Sequence, residues 1–166
     1  MVIINSTSEF QHDHIDKRIL EFLQEDSKIT IREIAEKTEM SQTAIRSRIQ
    51  KLEDNLIKKY MAIIDCRKLG YREMVMASLR VNSRRPIGQI KEEIEKMDKI
   101  KYAYIITGDY PIFVMAKCLD HEDSMQLIEN LRNLPEVEEI KTQIVLDCIK
   151  EDHTIIIPEP KIKEKI

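Results

Sequence analysis

The sequence predicts an α+β protein: an N-terminal, winged helix-turn-helix followed by a ferredoxin-like βαββαβ domain. In residues 13–55, apolar side chains recur at helical spacing in three short segments, and only a brief break separates the second from the third. From residue 74 onward, the order strand, helix, strand occurs twice. We therefore divide the chain into a helix-turn-helix domain with a linking strand (1–64), a dimerisation and effector domain (65–150) and a C-terminal tail (151–166).

The first helix is predicted to begin after Asp13, because an aspartate at this position accepts hydrogen bonds from the unpaired amides of the first turn. The apolar residues that follow recur every three or four positions, as one face of a helix requires: Ile15, Ile19, Phe22 and Leu23. The helix should end near Asp26.

The second and third helices each carry their own start signal. Thr30 and Glu33 have the spacing of a capping box, in which the two side chains bond to each other's backbone amides. The periodicity breaks at Glu39 and restarts after Ser41, which is a suitable N-cap for the third helix. Two short helices joined by a tight turn, with a packing helix before them, are typical of DNA-binding proteins.

The exposed face of the third helix carries side chains suited to DNA. Residues 42–60 contain five basic and two acidic side chains, although the whole chain has a net charge of −3. Arginine recognises guanine, glutamine recognises adenine, and lysine meets phosphate. Arg48 lies nearer the apolar side, so we interpret it as structural or phosphate-facing. The predicted contacts to double-stranded DNA are Gln42, Thr43, Arg46, Ser47, Gln50, Lys51, Lys58 and Lys59.

The β-prone residues 56–65 are interpreted as a wing or a linking strand. The second half should then fold as strand 74–81, helix 86–97, strand 100–107, strand 112–119, helix 122–134 and strand 137–149. The inward stripes are predicted to be Ile87, Ile90, Ile94 and Met97 on one helix, and Met125, Leu127, Ile128 and Leu131 on the other.

Both helices of this second half should cover the same face of the sheet, which leaves the other face bare. We expect Met76, either Ala103 or Tyr104, and Val114 to point outward on the bare face. An uncovered apolar face predicts self-association.

Composition narrows the remaining function classes. Hydrophobic residues make up 42% and charged residues 34% of the chain, and no apolar run approaches the length of a membrane span. The first residues do not resemble a signal peptide, so we expect a cytoplasmic protein. Three widely spaced cysteines and the absence of clustered acid-base residues predict neither a metal site, nor a cofactor, nor a catalytic centre.

Pro158 and Pro160 predict a frayed tail.

Several stretches, taken in order, resemble the Lrp/AsnC family of leucine-responsive or feast/famine regulators over about residues 13–150. They are DHIDKRIL from Asp13, IA at Ile34, MSQTAIRSRIQKLE from Met40, LIKKY from Leu56, KLGY from Lys68 and TGDY from Thr107.

The resemblance implies homodimers that build into larger rings such as octamers. It also implies a small-molecule effector, an amino acid or a related compound. By the same resemblance, the effector site is the turn Thr107, Gly108, Asp109 and Tyr110, in which Asp109 would pair with an amino group. A plain hairpin connection is the alternative interpretation of this turn.

The chain departs from the family pattern at three positions. Glu39 and Asn55 stand where the family usually has glycine, and Pro111 stands where it usually has aspartate. Two other functions therefore stay open at this point. One is an enzyme similar to sirohaem decarboxylases, built on the same scaffold. The other is an assembly partner that does not bind DNA.

Overall fold

The computed structural model describes residues 10–82 and 87–160. The chain forms two compact units. The helical unit contains residues up to Ile63 together with the segment that starts at Glu151, and the α+β unit contains Ile64–Lys150. No helix among the described residues is long and apolar enough to cross a bilayer.

The helical unit contains α1 (His14–Glu25), α2 (Ile31–Thr38) and α3 (Gln42–Asn55). All three begin at the predicted caps. Asp13 and Thr30 form capping boxes, and the Ser41 side chain accepts one hydrogen bond from the Ala44 amide. The core is formed by the apolar stripes of the three helices, in which Ile19, Ile34, Ile45 and Leu52 are fully buried. These helices confirm the predicted helix-turn-helix.

Glu39 makes the turn between α2 and α3 in a left-handed conformation, with φ of 56°. Glycine adopts this conformation most readily, whereas for a residue with a Cβ the conformation is less favourable by about 1–2 kcal/mol. The turn keeps the helix-turn-helix shape because the backbone amides of Glu39 and Met40 both donate to the carbonyl of Ala35.

Residues 56–65 form no strand, so the predicted wing or linking strand is wrong for this chain. A strand needs a neighbour that pairs with its amides and carbonyls. None of the described sheet strands pairs with this segment, and Met61, Ile63 and Ile64 stay exposed. The segment leads into a short 3₁₀ turn (Cys66–Leu69) that Gly70 ends with φ of 91°.

The α+β unit contains β1 (Glu73–Val81), α4 (Ile87–Glu95), β2 (Ile100–Ile105), β3 (Ile112–Cys118), α5 (His121–Arg132) and β4 (Val137–Ile144). The four strands are antiparallel in the order β2-β3-β1-β4. This order confirms the predicted ferredoxin-like arrangement. The predicted start of α4 at residue 86 lies outside the described residues.

The core of the α+β unit lies between the two helices and one face of the sheet. Its members include Val75 and Leu79 of β1, Ile90 of α4 and Leu131 of α5. Two predictions about facing were wrong. Val114 points into this core, since its partner on β1 is the buried Ala77. Met125 is exposed, because the fully buried Ser124 takes the inner position beside it.

β4 ends at Ile144 rather than at the predicted residue 149, because its partner strand β1 offers no further residues to pair with. β4 pairs with β1, which begins at Glu73, and the last backbone bond of this pair joins the amide of Val145 to the carbonyl of Met74 at 2.9 Å. Beyond this bond the chain is irregular. Apolar residues such as Leu146 and Ile149 therefore stand almost fully exposed instead of extending the strand.

The C-terminal segment packs on the helical unit, which contradicts the predicted frayed tail for residues 151–160. The side-chain amide of Gln24 pairs with both backbone groups of Ile155, at 2.7 and 3.0 Å. Ile157 is 8% exposed and belongs to the helical core, and Lys17 forms an ion pair with Glu159. The prolines exclude a strand, but an extended segment with one buried isoleucine still docks.

Arg48 joins α3 to the start of α1. Its Nη1 atom lies 2.6 Å from the carboxylate of Asp16 and 2.7 Å from that of Asp13. The side chain of Asp16 is only 3% exposed, so Arg48 is the cation that accompanies this carboxylate into the core. Burial alone would raise the pKa of Asp13, but the Asp16 amide and Arg48 together hold that pKa below its usual value.

We predict that Arg48→Ala lowers the free energy of unfolding of the helical unit by about 2 kcal/mol, since it leaves the buried carboxylate of Asp16 without its cation. Urea unfolding followed by circular dichroism measures this loss. Arg46→Ala, two residues away on the exposed face, is the matched control and should change stability by less than about 0.5 kcal/mol. Equal stabilities of the two variants would contradict the role of Arg48.

Candidate nucleic-acid interface

One face of α3 is buried and the opposite face presents polar side chains to solvent. Ile45 and Leu52 point into the core, whereas Thr43, Arg46 and Ser47 are exposed on the opposite face together with Gln42 and Gln50. Successive members of this exposed set are separated by one to three positions, so they form one stripe along the helix. Because the first turn contains no acidic residue, the positive end of the helix dipole is not neutralised there.

The residues of this stripe differ in how they are held. Among the described residues, no side chain pairs with Arg46. Gln50 donates a 2.9 Å hydrogen bond to Asp54, and the Lys51 ammonium lies 5.2 Å from the centre of the Phe10 ring. Arg46 is thus available to a ligand, while Gln50 and Lys51 must first exchange an internal contact.

Lys58 and Lys59 are exposed just after the end of α3. The turn before them is well anchored, because the amides of Leu56 and Ile57 both donate to the Leu52 carbonyl at 2.8 Å. Tyr60 follows and donates a 3.1 Å hydrogen bond to Glu53; burial and this carboxylate raise the pKa of Tyr60 to about 12. The two ammonium groups therefore extend from a fixed backbone.

Asn55 ends α3 without the left-handed backbone that glycine would supply. Among the described non-glycine residues only Glu39 has a positive φ, and the side chain of Asn55 donates to the Lys51 carbonyl at 2.8 Å. Arg48 points away from the exposed stripe, toward α1. Of its two predicted roles, the structural one is confirmed.

The predicted effector turn is a β-hairpin connection between β2 and β3. The amide of Ile106 donates to the carbonyl of Pro111 at 2.8 Å, and Gly108 has φ of 110°. Thr107, Gly108 and Asp109 stand exposed at the tip. The geometry is that of an ordinary turn.

Tyr110 is the last residue of this turn, and its side chain reaches β4 at the opposite edge of the sheet. Its hydroxyl donates a 2.8 Å hydrogen bond to Glu139, and its ring lies 4.0 Å from the Lys141 ammonium and 5.6 Å from the Arg80 guanidinium. The hydrogen bond from Tyr110, followed by the charges of Arg80 and Lys141, holds the pKa of Glu139 below its usual value.

Sequence reasoning missed Arg80, Glu139 and Lys141, which form this polar cluster around Tyr110. They lie on β1 and β4, where the register places Arg80 opposite Glu139. Their alternation with apolar residues marks them as outward-facing. Only the strand order shows that they meet a residue of the β2–β3 turn.

An apolar patch occupies the uncovered face of the sheet near β2. Tyr102 and Tyr104 are stacked there with ring centres 6.3 Å apart, and they are 40% and 52% exposed. Their partners on β3 are Met115 and Phe113, and Met76 of β1 lies next to Met115. The prediction that Met76 and Tyr104 point outward is confirmed.

Two family models match this chain: the AsnC-type helix-turn-helix domain over residues 13–53 and the Lrp/AsnC ligand binding domain over residues 74–155. The HTH-type transcriptional regulator FL11 of Pyrococcus horikoshii is 34% identical over 140 residues, which cover 84% of this chain and 92% of that protein.

Solved structures show the same fold. An AsnC family transcriptional regulator from Agrobacterium tumefaciens has a TM-score of 0.80 at 25% identity, over 87% of this chain and 96% of that one. A transcriptional regulator from Neisseria meningitidis in complex with L-Met has a TM-score of 0.81 at 20% identity, over 87% and 96%.

Proteins of this kind are transcriptional regulators rather than enzymes, and they bind DNA, bind small molecules and oligomerise. Both of the domains that these activities require are present here, in the same order. The chain belongs to the Lrp/AsnC family and is a DNA-binding transcriptional regulator that a small-molecule ligand modulates.

Proposed function

We propose that the protein is a homodimeric regulator that reads the major groove with the exposed stripe of α3. Arg46 would contact a base edge, Gln42, Thr43, Ser47 and Gln50 would contact neighbouring bases or phosphates, and Lys51, Lys58 and Lys59 would contact the backbone. The observation that carries this proposal is the position of Arg46, which is exposed, has no partner among the described residues and lies on a helix whose opposite face is buried.

The chemistry of the stripe ranks its members. An arginine that donates two hydrogen bonds to guanine contributes about 1–3 kcal/mol of discrimination between bases. Gln50 can recognise adenine, but it would first break its bond to Asp54, at a net loss of about 1 kcal/mol. The first half of α3 therefore contributes most of the specificity, as in other helix-turn-helix proteins.

We predict that Arg46→Ala weakens binding to the preferred DNA site by about 1–3 kcal/mol and relaxes base preference at the contacted position. The site is first selected from random duplexes with the wild-type protein, and fluorescence anisotropy then measures affinity. Arg132→Ala, an exposed arginine at the end of α5, is the control and should bind like wild type. Equal affinity of Arg46→Ala and wild type would disprove the assignment.

The apolar patch around Tyr102 and Tyr104 supports the homodimer. The helices α4 and α5 already cover the opposite face of the sheet, so a second copy of this chain can bury the patch without displacing any element. An exposed cluster of two tyrosines with Phe113 and two methionines is the composition that interface cores favour. Pairing would present two copies of α3 to one duplex, and octamers would need further contacts between dimers.

We predict that Tyr104→Glu shifts the dimer toward monomers by at least a factor of ten in dissociation constant, because a carboxylate would be buried in the interface. Light scattering after size-exclusion chromatography over a dilution series measures the shift. Met125→Glu adds the same charge at an exposed position of α5, so this variant should remain dimeric. A dimer that tolerates Tyr104→Glu would place the interface elsewhere.

We also propose an amino acid as the ligand, bound at the turn Thr107–Tyr110. Asp109 would pair with the ammonium group, and the nearby cations of Lys141 and Arg80 would attract the carboxylate. The regulator from N. meningitidis that is bound to L-Met supports this ligand class. Close backbone approach at the tip is available at Gly108, where nothing lies within 4 Å of an added Cβ.

We predict that at least one amino acid raises the melting temperature of the wild-type protein by several degrees, since a ligand at 100 times its Kd stabilises by about 2.7 kcal/mol. A fluorescence melting panel of the twenty amino acids measures this. Asp109→Asn should lose the shift, while Asp98→Asn, in the turn before β2, should keep it. An unchanged shift in Asp109→Asn would remove Asp109 from the site.

A further inference from the structure

Two of the three cysteines share one cavity in the α+β unit. The cavity has a volume of about 350 Å³ and is lined by the 3₁₀ turn, by residues at the start of β1 and by residues that follow β4. Cys66 lies on the 3₁₀ turn and Cys148 lies after β4, and both are partly exposed. The proposed DNA and ligand contacts do not use either thiol.

The strand register explains why these distant residues come together. β1 and β4 are antiparallel with Val75 opposite Ile144, and the next bond along joins Val145 to Met74. Continuing in the same direction, the chain that follows β4 runs beside the chain that precedes β1. There the amide of Tyr71 donates to the Cys66 carbonyl at 3.1 Å, and Cys66, Tyr71 and Cys148 line the same cavity.

The neighbours of the two cysteines are also in contact. Arg67 and Asp147 approach to 4.0 Å between Nη2 and Oδ1, and the Cys148 amide donates to the same Asp147 carboxylate at 2.8 Å. This ion pair links the two segments at positions directly adjacent to the thiols.

The surroundings of the pair suit thiol chemistry. Arg67, Arg72 and Lys117 also line the cavity, and cationic side chains favour reactions in which negative charge develops on sulfur. Cys118 provides the contrast, since it is fully buried on β3 and burial raises the pKa of its thiol. Among the described residues no three His, Cys, Asp or Glu side chains are placed to hold a metal.

We propose that Cys66 and Cys148 are a redox modification site that hydrogen peroxide or an organic peroxide converts into an intramolecular disulfide. One thiol attacks the peroxide, the O–O bond breaks, and a sulfenic acid forms with release of water, or of an alcohol from an organic peroxide. The second thiol then attacks this sulfur, the S–O bond breaks, the S–S bond forms and a water molecule leaves. Two thiols are oxidised and one peroxide is reduced.

The bond would lie near the two places where the chain crosses between the units. The chain passes from the helical unit to the α+β unit between Ile63 and Ile64, and it returns between Lys150 and Glu151. Cys66 and Cys148 lie close to these two crossings in sequence. The disulfide would therefore join the first and last segments of the α+β unit, close in sequence to both crossings.

The test uses the full chain, reduced and then freed of reductant. Treatment with a small excess of hydrogen peroxide should lower the number of titratable thiols in the denatured protein from three to one and remove two hydrogens from the intact mass. Trypsin without reductant should then release peptide 60–67 linked to peptide 142–150. Dithiothreitol should restore all three thiols.

The variants separate the proposed pair from other thiol chemistry. Cys118→Ser should form the same linked peptide, whereas Cys66→Ser and Cys148→Ser should each lose it. A bond that involves Cys118, a disulfide between two chains on a non-reducing gel, or oxidation to sulfinic acid without any linked peptide would each overturn the proposal. The mass readout involves no DNA or ligand, so it is independent of the proposed function.

Discussion

The bridge from Arg48 to Asp13 and Asp16 is the contact on which the orientation of α3 depends. It joins the middle of α3 to the first turn of α1, and its inner carboxylate is almost fully buried. A buried charge cannot lose its partner without a large penalty, so the bridge restricts rotation of α3 about its own axis. With α3 held in this way, Ile45 and Leu52 must face the core, and Thr43, Arg46 and Ser47 must face solvent.

α3 therefore divides two arginines between two tasks. Arg46 and Arg48 are separated by one residue, which places them about 200° apart around the helix. Arg48 pairs with carboxylates inside the protein, whereas Arg46 is exposed and has no partner among the described residues. Counting basic residues in the segment overstates the charge available to DNA, since Lys51 also rests on the Phe10 ring. Within α3, Arg46 is the basic side chain that has no partner among the described residues.

In the α+β unit the sheet has two faces with different roles. One face is closed by α4 and α5, and the other carries the tyrosine patch near β2 and the charged cluster around Tyr110 near β4. A second copy of the chain and a small ligand would thus use the same side of the sheet, which is a simple way for ligand binding to affect assembly. The thiol cavity lies at the end of this sheet where β1 starts and β4 stops.

Local sequence signals determined the helices and their caps, because caps and periodicity act over a few residues: Asp13, Thr30 and Ser41 all start helices as expected. They also placed Arg46 on the outer face. The tertiary structure alone decided which residues met across long separations: Arg48 with Asp16, Tyr110 with Glu139, and Ile157 with the helical core. It also decided that residues 56–65 form no strand, since pairing requires a neighbour that no local pattern can supply.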